Sequence, residues 1–242
     1  MSILFKNTEE QRAYLKKVQH KIHPRYKTGG EYYREFIASR LRPSFVVVDA
    51  GCGDTGIIRE FKGTFATLIG VDVSEELLKK NIVVDQKILA DLEKIPLPDN
   101  SADMIVSEFV LEHLEYPEKV FQELYRILKP EGSFILLTPN RFNPVMVTSS
   151  ILPHFVHDWF RDKILKKGEE THETHYRANS FKRVVALLEK AGFVLGRVER
   201  AGNPEYVGIA PFLMWPAMLF ERVIDNKVMS FLKMYLVGEF RK

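Results

Sequence analysis

The run Val46-Val47-Val48-Asp49-Ala50-Gly51-Cys52-Gly53-Asp54-Thr55-Gly56 sets a β-branched stretch, an acid and a glycine-rich turn in immediate succession. Three consecutive valines do not alternate with polar residues, so they predict a strand covered on both faces, as in a parallel sheet between helices. The glycines then let the backbone turn sharply and approach a ligand at the start of the next helix, where side chains would collide with it. Such a segment grips a nucleotide-like cofactor. Taken literally, Gly51, Gly53 and Gly56 also fit the dinucleotide fingerprint, with Asp72 about 20 residues on, where a ribose-binding acid belongs.

Charge separates the two cofactors. A dinucleotide would present a doubly anionic pyrophosphate to this turn, and Asp49 at the strand end with Asp54 in the loop would repel it. S-adenosylmethionine presents a sulfonium and an ammonium, with one carboxylate for the helix amides. The carboxylates favour the sulfonium cofactor.

Five motifs then follow in order: Asp49-Ala50-Gly51-Cys52-Gly53, Gly70-Val71-Asp72-Val73-Ser74, Ala90-Asp91-Leu92, the stretch from Asp103 to Leu114, and Leu128-Lys129-Pro130-Glu131-Gly132. On these the chain resembles the class I S-adenosylmethionine-dependent methyltransferases, from about Phe45 to Phe193, and within them the small-molecule group with a Glu-His-Leu signature, here Glu112-His113-Leu114. One position departs from the family's usual Gly-x-Gly-x-Gly loop: Thr55 occupies the third glycine position and Gly56 follows.

The resemblance implies an α/β fold, a Rossmann-like doubly wound seven-stranded sheet. An N-terminal helical cap over residues 1–44 would precede a methyltransferase domain over 45–242, with apolar insertions at 141–178 and 201–233. It implies S-adenosyl-L-methionine as cofactor and S-adenosyl-L-homocysteine as product. Asp72 would take the ribose hydroxyls, since a carboxylate offers two acceptor oxygens to a vicinal diol. Asp91 would accept from the adenine amino group, with Leu92 packed near the base. Asp49, Gly51, Cys52, Gly53, Val73, Ser107 and Glu108 complete the expected cofactor wall, with Glu108 either lining the methionine end or facing solvent.

Length and charge agree. The 242 residues suffice for one well-buried α/β domain with decorations, and a net charge of +3 with 28% charged residues does not project the basic field that nucleic acid needs. No nucleic-acid partner is expected. Cys52 is the sole cysteine, which suits a reducing cytoplasm, and as a small buried filler it needs no chemistry. The first residues, Met1 to Lys6, hold no apolar run of signal-peptide length, so the mature protein is expected to begin there.

Along the chain, strands and helices alternate. Two polar helices are expected from Thr8 to about Arg42, interrupted at His23-Pro24 and at Gly29-Gly30. Strands are expected at 45–50, 66–73, 103–109, 133–138 and 193–198, with another ending at Ala90, and the resemblance implies an antiparallel one near 235–240. Helices are expected from about 56, after Ser74, from Pro117, and over 180–191.

The chemistry is read from fewer residues. Methyl transfer from a sulfonium is an in-line displacement with a good leaving group, so positioning supplies much of the rate and a base is needed only where the nucleophile must lose a proton. Three residues are candidates for catalysis. His113, just past the fourth strand, can serve as that base or order its turn; His175 and Tyr176 can reach a substrate across the cleft or sit in a surface loop. His154, His157, Asp158, His172 and His175 do not match tetrahedral zinc spacing, so no metal is expected.

Both insertions are aromatic: Ile151 to Phe160 precedes Arg161, Lys163, Lys166 and Lys167, and Gly208 to Phe220 forms a second run too broken by proline to span a bilayer. Three readings stay open: a lid over a hydrophobic or lipid-linked acceptor, a peripheral patch on an anionic membrane, and a homodimer contact. The function expected is methyl transfer to oxygen of a small organic acceptor, such as a glycan or lipid-linked molecule. The alternative is a sensor or scaffold that binds S-adenosylmethionine without transferring methyl.

Overall fold

Val47, Val48 and Ala50 are fully buried in β1 (Val46–Ala50), and the sheet grows outward from that strand. In the computed structural model, which describes residues 8–144, 173–208 and 210–242, seven strands lie in the order β3-β2-β1-β4-β5-β7-β6. The strands are β2 (Thr67–Asp72), β3 (Gln86–Leu89), β4 (Ala102–Glu108), β5 (Leu128–Pro139), β6 (Val194–Ala201) and β7 (Tyr235–Arg241). All pairings among β1 to β5 are parallel, and β7 runs antiparallel between β5 and β6. The chain leaves β1 toward β2 and β3, then returns to build β4 on its other side. That reversal opens a crevice above the carboxyl ends of β1 and β4.

Local chemistry fixes the helices. Ser74 caps α3 (Glu75–Lys80) by accepting from the Leu77 N–H, Pro117 occupies the first turn of α4 (Pro117–Ile127), and Gly192 at φ 107° closes α5 (Phe181–Ala191). Val184, Leu187 and Leu188 are the buried stripe of α5. The helix expected from about residue 56 is only a 3-10 turn, Ile57–Phe61, because Lys62 is already extended and Gly63 turns at φ 88°.

The N-terminal helices are α1 (Thr8–Ile22) and α2 (Gly29–Arg40). Gly29-Gly30 does not break a helix, as the sequence suggested, but opens one. Thr28 and Glu31 form a reciprocal capping box, and a Cβ on Gly29 would lie 2.7 Å from the Tyr235 ring, so the glycine lets α2 dock against β7. Residues 201–233 form α6 (Pro204–Val207) and α7 (Pro211–Ile224). Met214 and Met218 of α7 pack with Leu15 and Val18 of α1 and with Tyr26. Gln11 donates to the carbonyls of Glu205 and Gly208, and the Trp215 indole donates to the Tyr14 hydroxyl at 3.1 Å. Among the described residues no helix is long and apolar enough to cross a membrane. The segment 151–160, its following basic cluster, and His154, His157, Asp158 and His172 lie outside the described residues.

Candidate active site

The glycine turn is shaped by two left-handed positions, Gly51 at φ 77° and Gly53 at φ 49°. A Cβ at Gly51 would meet Val110 at 2.3 Å, so no other residue fits there. Asp72 reaches back to this turn: one carboxylate oxygen accepts the Gly53 N–H and the other the Ser74 N–H, each at 2.8 Å. Each oxygen keeps a lone pair, which suits the ribose diol expected there. Cys52 is buried against Gly70, where a Cβ would lie 2.7 Å from its sulfur, and burial pushes its thiol up to about 12. The thiol stays protonated and serves as packing.

Asp49 is buried beneath the loop, and its pKa is pushed up to about 8 by burial, then by Glu108 and Asp72. The Glu108 carboxylate accepts the Ile57 N–H at 2.7 Å and is also raised, chiefly by burial. Gly56 sits between them, in extended backbone, where a Cβ would lie 3.3 Å from Glu108 and 3.7 Å from Asp49. Thr55, at the departure from the family loop, is exposed and accepts from Arg59 at 2.9 Å. Ser107 donates to the Ala50 carbonyl and joins β4 to β1. Asp49 is thus raised by burial and by two acidic neighbours, while Arg34 and Arg59 offset the charge of Glu108 only in part, an arrangement that a positively charged ligand relieves.

Beyond them, Val73 is 62% exposed at the end of β2, while Leu92 is buried just past β3. An apolar side chain left in solvent beside a buried one suits a planar base. Asp91 is exposed and accepts the Glu93 N–H at 2.8 Å. This set of acceptors, glycine backbone and apolar surface fits S-adenosylmethionine.

Next to Gly56 and Glu108 opens a cavity of about 760 Å³, walled by α1, α2 and residues 203–205. Phe109 and Tyr235 meet edge-on at 5.4 Å on its floor. Phe109 holds φ 56°, a strained conformation for an aromatic residue, and Asn203 donates to the Tyr235 hydroxyl at 3.2 Å. The walls are charged: Arg34 makes a two-pronged pair with Glu60, both contacts 2.7 Å, and Arg12 faces Glu205 at 3.7 Å. No described residue of 208–220 lines this cavity. The second aromatic run therefore does not cover the site; its packing against α1 places it behind the wall.

His113, His175 and Tyr176 are brought together, though none of them lines the cavity. The His113 Nδ1 lies 2.9 Å from the Glu173 carbonyl, which makes that nitrogen the protonated one. The N–H groups of His175 and Tyr176 both donate to the Glu112 carbonyl, at 2.7 and 3.1 Å, and Tyr176 stands at φ 50°. Glu112 itself is buried and accepts from the Thr138 hydroxyl, which accepts in turn from Asn179 at 2.6 Å. Burial pushes Glu112 up to about 7. Sequence reasoning quoted Glu112 without a role, and it assigned nothing to Arg12, Arg34, Asn203, Glu205 or Tyr235. Only the occurrence of an acid inside the Glu-His-Leu signature pointed that way.

A family model described as a methyltransferase domain matches residues 48–136. The chain is 27% identical over 142 residues to the ubiquinone/menaquinone biosynthesis C-methyltransferase UbiE of Burkholderia orbicola, a match covering 54% of this chain and 58% of that relative. The chain thus spans little more than half the length of that curated relative. Among solved structures, an S-adenosylmethionine-dependent methyltransferase from Mesorhizobium loti superposes with a TM-score of 0.58 at 20% identity, over 86% of this chain and 96% of that one. The geranyl diphosphate C-methyltransferase of Streptomyces coelicolor, solved with S-adenosyl-L-homocysteine, does so with a TM-score of 0.57 at 15% identity, over 98% and 83%. At such identities the structures establish the fold alone, and the domain match, on the segment that carries the ordered motifs, identifies residues 48–136 as part of a class I S-adenosylmethionine-dependent methyltransferase domain.

Proposed function

We propose that the chain transfers the sulfonium methyl of S-adenosylmethionine to a hydroxyl oxygen of a small polar acceptor, of the glycan type, free or lipid-linked. The observation that carries this reading is the adjacency of the acidic glycine turn to the 760 Å³ cavity through Gly56 and Glu108. Phe109 and Tyr235 offer a flat apolar floor to the carbon face of such a molecule, while Asn203 and the carboxylates of Glu205 and Glu108 meet its hydroxyls. Charged walls argue against a wholly apolar acceptor. The small net charge argues against nucleic acid.

When bound, the cofactor supplies an activated methyl group. Asp72 holds its ribose, Val73, Asp91 and Leu92 its base, and Asp49, Glu108 and the Gly51 to Gly53 backbone its charged end. His113, held by its Nδ1 to the Glu173 carbonyl outside the cavity lining, is the proposed acceptor of the hydroxyl proton for an acceptor that extends beyond the cavity to reach it. The Glu112 carbonyl holds the backbone of His175 and Tyr176.

A second reading, methylation at carbon, is favoured by the relatives, whose names describe C-methyltransferases. A third, cofactor binding without transfer, is the non-enzymatic alternative. Incubation with methyl-labelled cofactor and a cell extract, followed by treatment of the labelled product with hydriodic acid, tests all three. Label released as methyl iodide supports the ether oxygen, label retained on carbon selects the second, and no acceptor-dependent label in any fraction selects the third. The same reading places the chain in the cytoplasm, with a peripheral membrane contact or homodimer left to residues 141–178.

A further inference from the structure

Arg241 pairs with Ser133 and Val194 at the amino-terminal edge of the parallel strands, the end of the sheet opposite the cofactor turn. There Glu239 is fully buried and receives three guanidinium groups: Arg40 Nε at 2.6 Å, Arg197 Nε at 2.8 Å and Arg241 Nε at 3.4 Å. Burial acts to raise its pKa, but the hydrogen bonds of Arg197 and Arg40 outweigh this and hold it below the usual carboxylate range. One cation suffices to neutralise one buried carboxylate. Three leave an excess of two positive charges.

The excess faces a concavity of about 330 Å³ lined by Ser39, Arg40, Gly196, Arg197, Glu239 and Arg241. Each arginine spends its Nε on Glu239. Of the six Nη nitrogens, only Arg197 Nη2 has a hydrogen-bond partner among the described residues, the Ser39 hydroxyl at 2.6 Å. The forks are preorganised as well: Arg197 lies 3.8 Å over the Phe36 ring, and Glu239 fixes all three from below. Glu35, a further carboxylate that feels the charge of Arg197, is already paired with Lys27. A smaller adjoining concavity of about 120 Å³ adds Arg42 but also Asp103 and Glu131, so the net positive field belongs to the first.

We infer that this arginine cradle is a binding site for a phosphate-type oxyanion, remote from the methyl-transfer site. A carboxylate can satisfy one fork; a phosphoryl group, with three or more oxygens in tetrahedral array, can accept from all three. The source is either a free phosphorylated compound or a lipid headgroup, because both present the same chemistry.

The test is calorimetric titration of the full chain with inorganic pyrophosphate at low chloride, with S-adenosyl-L-homocysteine present to fill the cofactor site. Arg241→Ala is the chosen variant, since Arg241 holds Glu239 most loosely and its loss leaves two cations on the buried acid. Binding by the wild type, about tenfold weaker in Arg241→Ala and not restored by Arg241→Lys, supports the site. Absence of pyrophosphate binding by the folded wild type, or equal affinity in wild type and Arg241→Ala, overturns it. Sedimentation with phosphatidic acid vesicles, against phosphatidylcholine vesicles, then assigns the source: Arg241-dependent sedimentation indicates a headgroup, and pyrophosphate binding without sedimentation indicates a free phosphate.

Discussion

The proposed cofactor side and the proposed acceptor side of the cleft are built by opposite strategies. On the cofactor side, Asp49, Asp72 and Asp91 stand at or just past the ends of β1, β2 and β3, within 43 residues of chain, and most of the contacts offered are backbone or short side chains. On the acceptor side, Arg12, Arg34, Phe109, Asn203, Glu205 and Tyr235 converge from across the described chain and meet only through the sheet and its cap. A wall made from consecutive strand ends is fixed by the fold. A wall made from distant elements varies with every docking angle, and substrate identity resides there.

The sharpest way to break this division is His113→Ala. If His113 takes the acceptor proton, turnover falls about 100-fold or more while S-adenosyl-L-homocysteine affinity, measured by calorimetry, stays within about twofold. A near-normal rate would return His113 to a purely structural tie to Glu173. Asp72→Ala probes the other wall and should weaken cofactor binding by about 2–3 kcal/mol, since two charge-assisted hydrogen bonds are lost. Titration of the variant at one pH gives the value, and unchanged affinity would place the cofactor elsewhere.

The acidic turn predicts a proton linkage. Asp49 titrates near 8 in the ligand-free protein, and a cationic cofactor lowers that value, so binding releases protons. Cofactor affinity should therefore fall as pH drops below about 8, by at most tenfold per unit, and heats in buffers of different ionisation enthalpy should reveal the released proton. Stability runs the other way. Because the folded pKa lies above the ordinary carboxylate range, the contribution of Asp49 is full at low pH and lost as pH rises through about 8. Asp49→Asn should thus stabilise the ligand-free chain at pH 8 by about 2 kcal/mol in thermal denaturation while weakening the cofactor.

The smallest effect sharpens the comparison most. Trp215 lies behind α1, so Trp215→Ala should change the apparent Michaelis constant of either substrate less than about threefold. Asn203→Ala, which removes a cavity wall and the Tyr235 partner, should raise the acceptor's constant about tenfold with the cofactor's unmoved. Equal effects from both would show that α7 reaches the acceptor after all.

The difference between the walls also explains what the sequence discloses. The β-branched run, the strand-end acids and the Ser74 cap act over a few residues, so periodicity and turn chemistry mark them directly, whereas the antiparallel β7 was implied by the family resemblance alone. Gly29 was misread because its role is a close approach to Tyr235, more than 200 residues away, and no local signal distinguishes that glycine from a helix breaker. Aromatic density suggested that 208–220 was a lid, but the same apolar stripe serves equally to pack one helix on another. Glu112 was unreadable for the same cause: its burial depends on Thr138 and Asn179.

The docking of α1 onto α7 has a consequence for assembly. Trp215 and Tyr14 are 201 residues apart, and Gln11 is tied to Glu205 across 194. During synthesis β1 to β4 leave the ribosome with every residue of the proposed cofactor wall, while α1, made earlier, does not meet its partner α7 until that helix emerges. Contacts so distant in sequence form late, because the intervening loop must be closed first. The acceptor cavity is therefore the final part of the molecule to come into being, and an early cofactor-bound form has no means of holding a substrate.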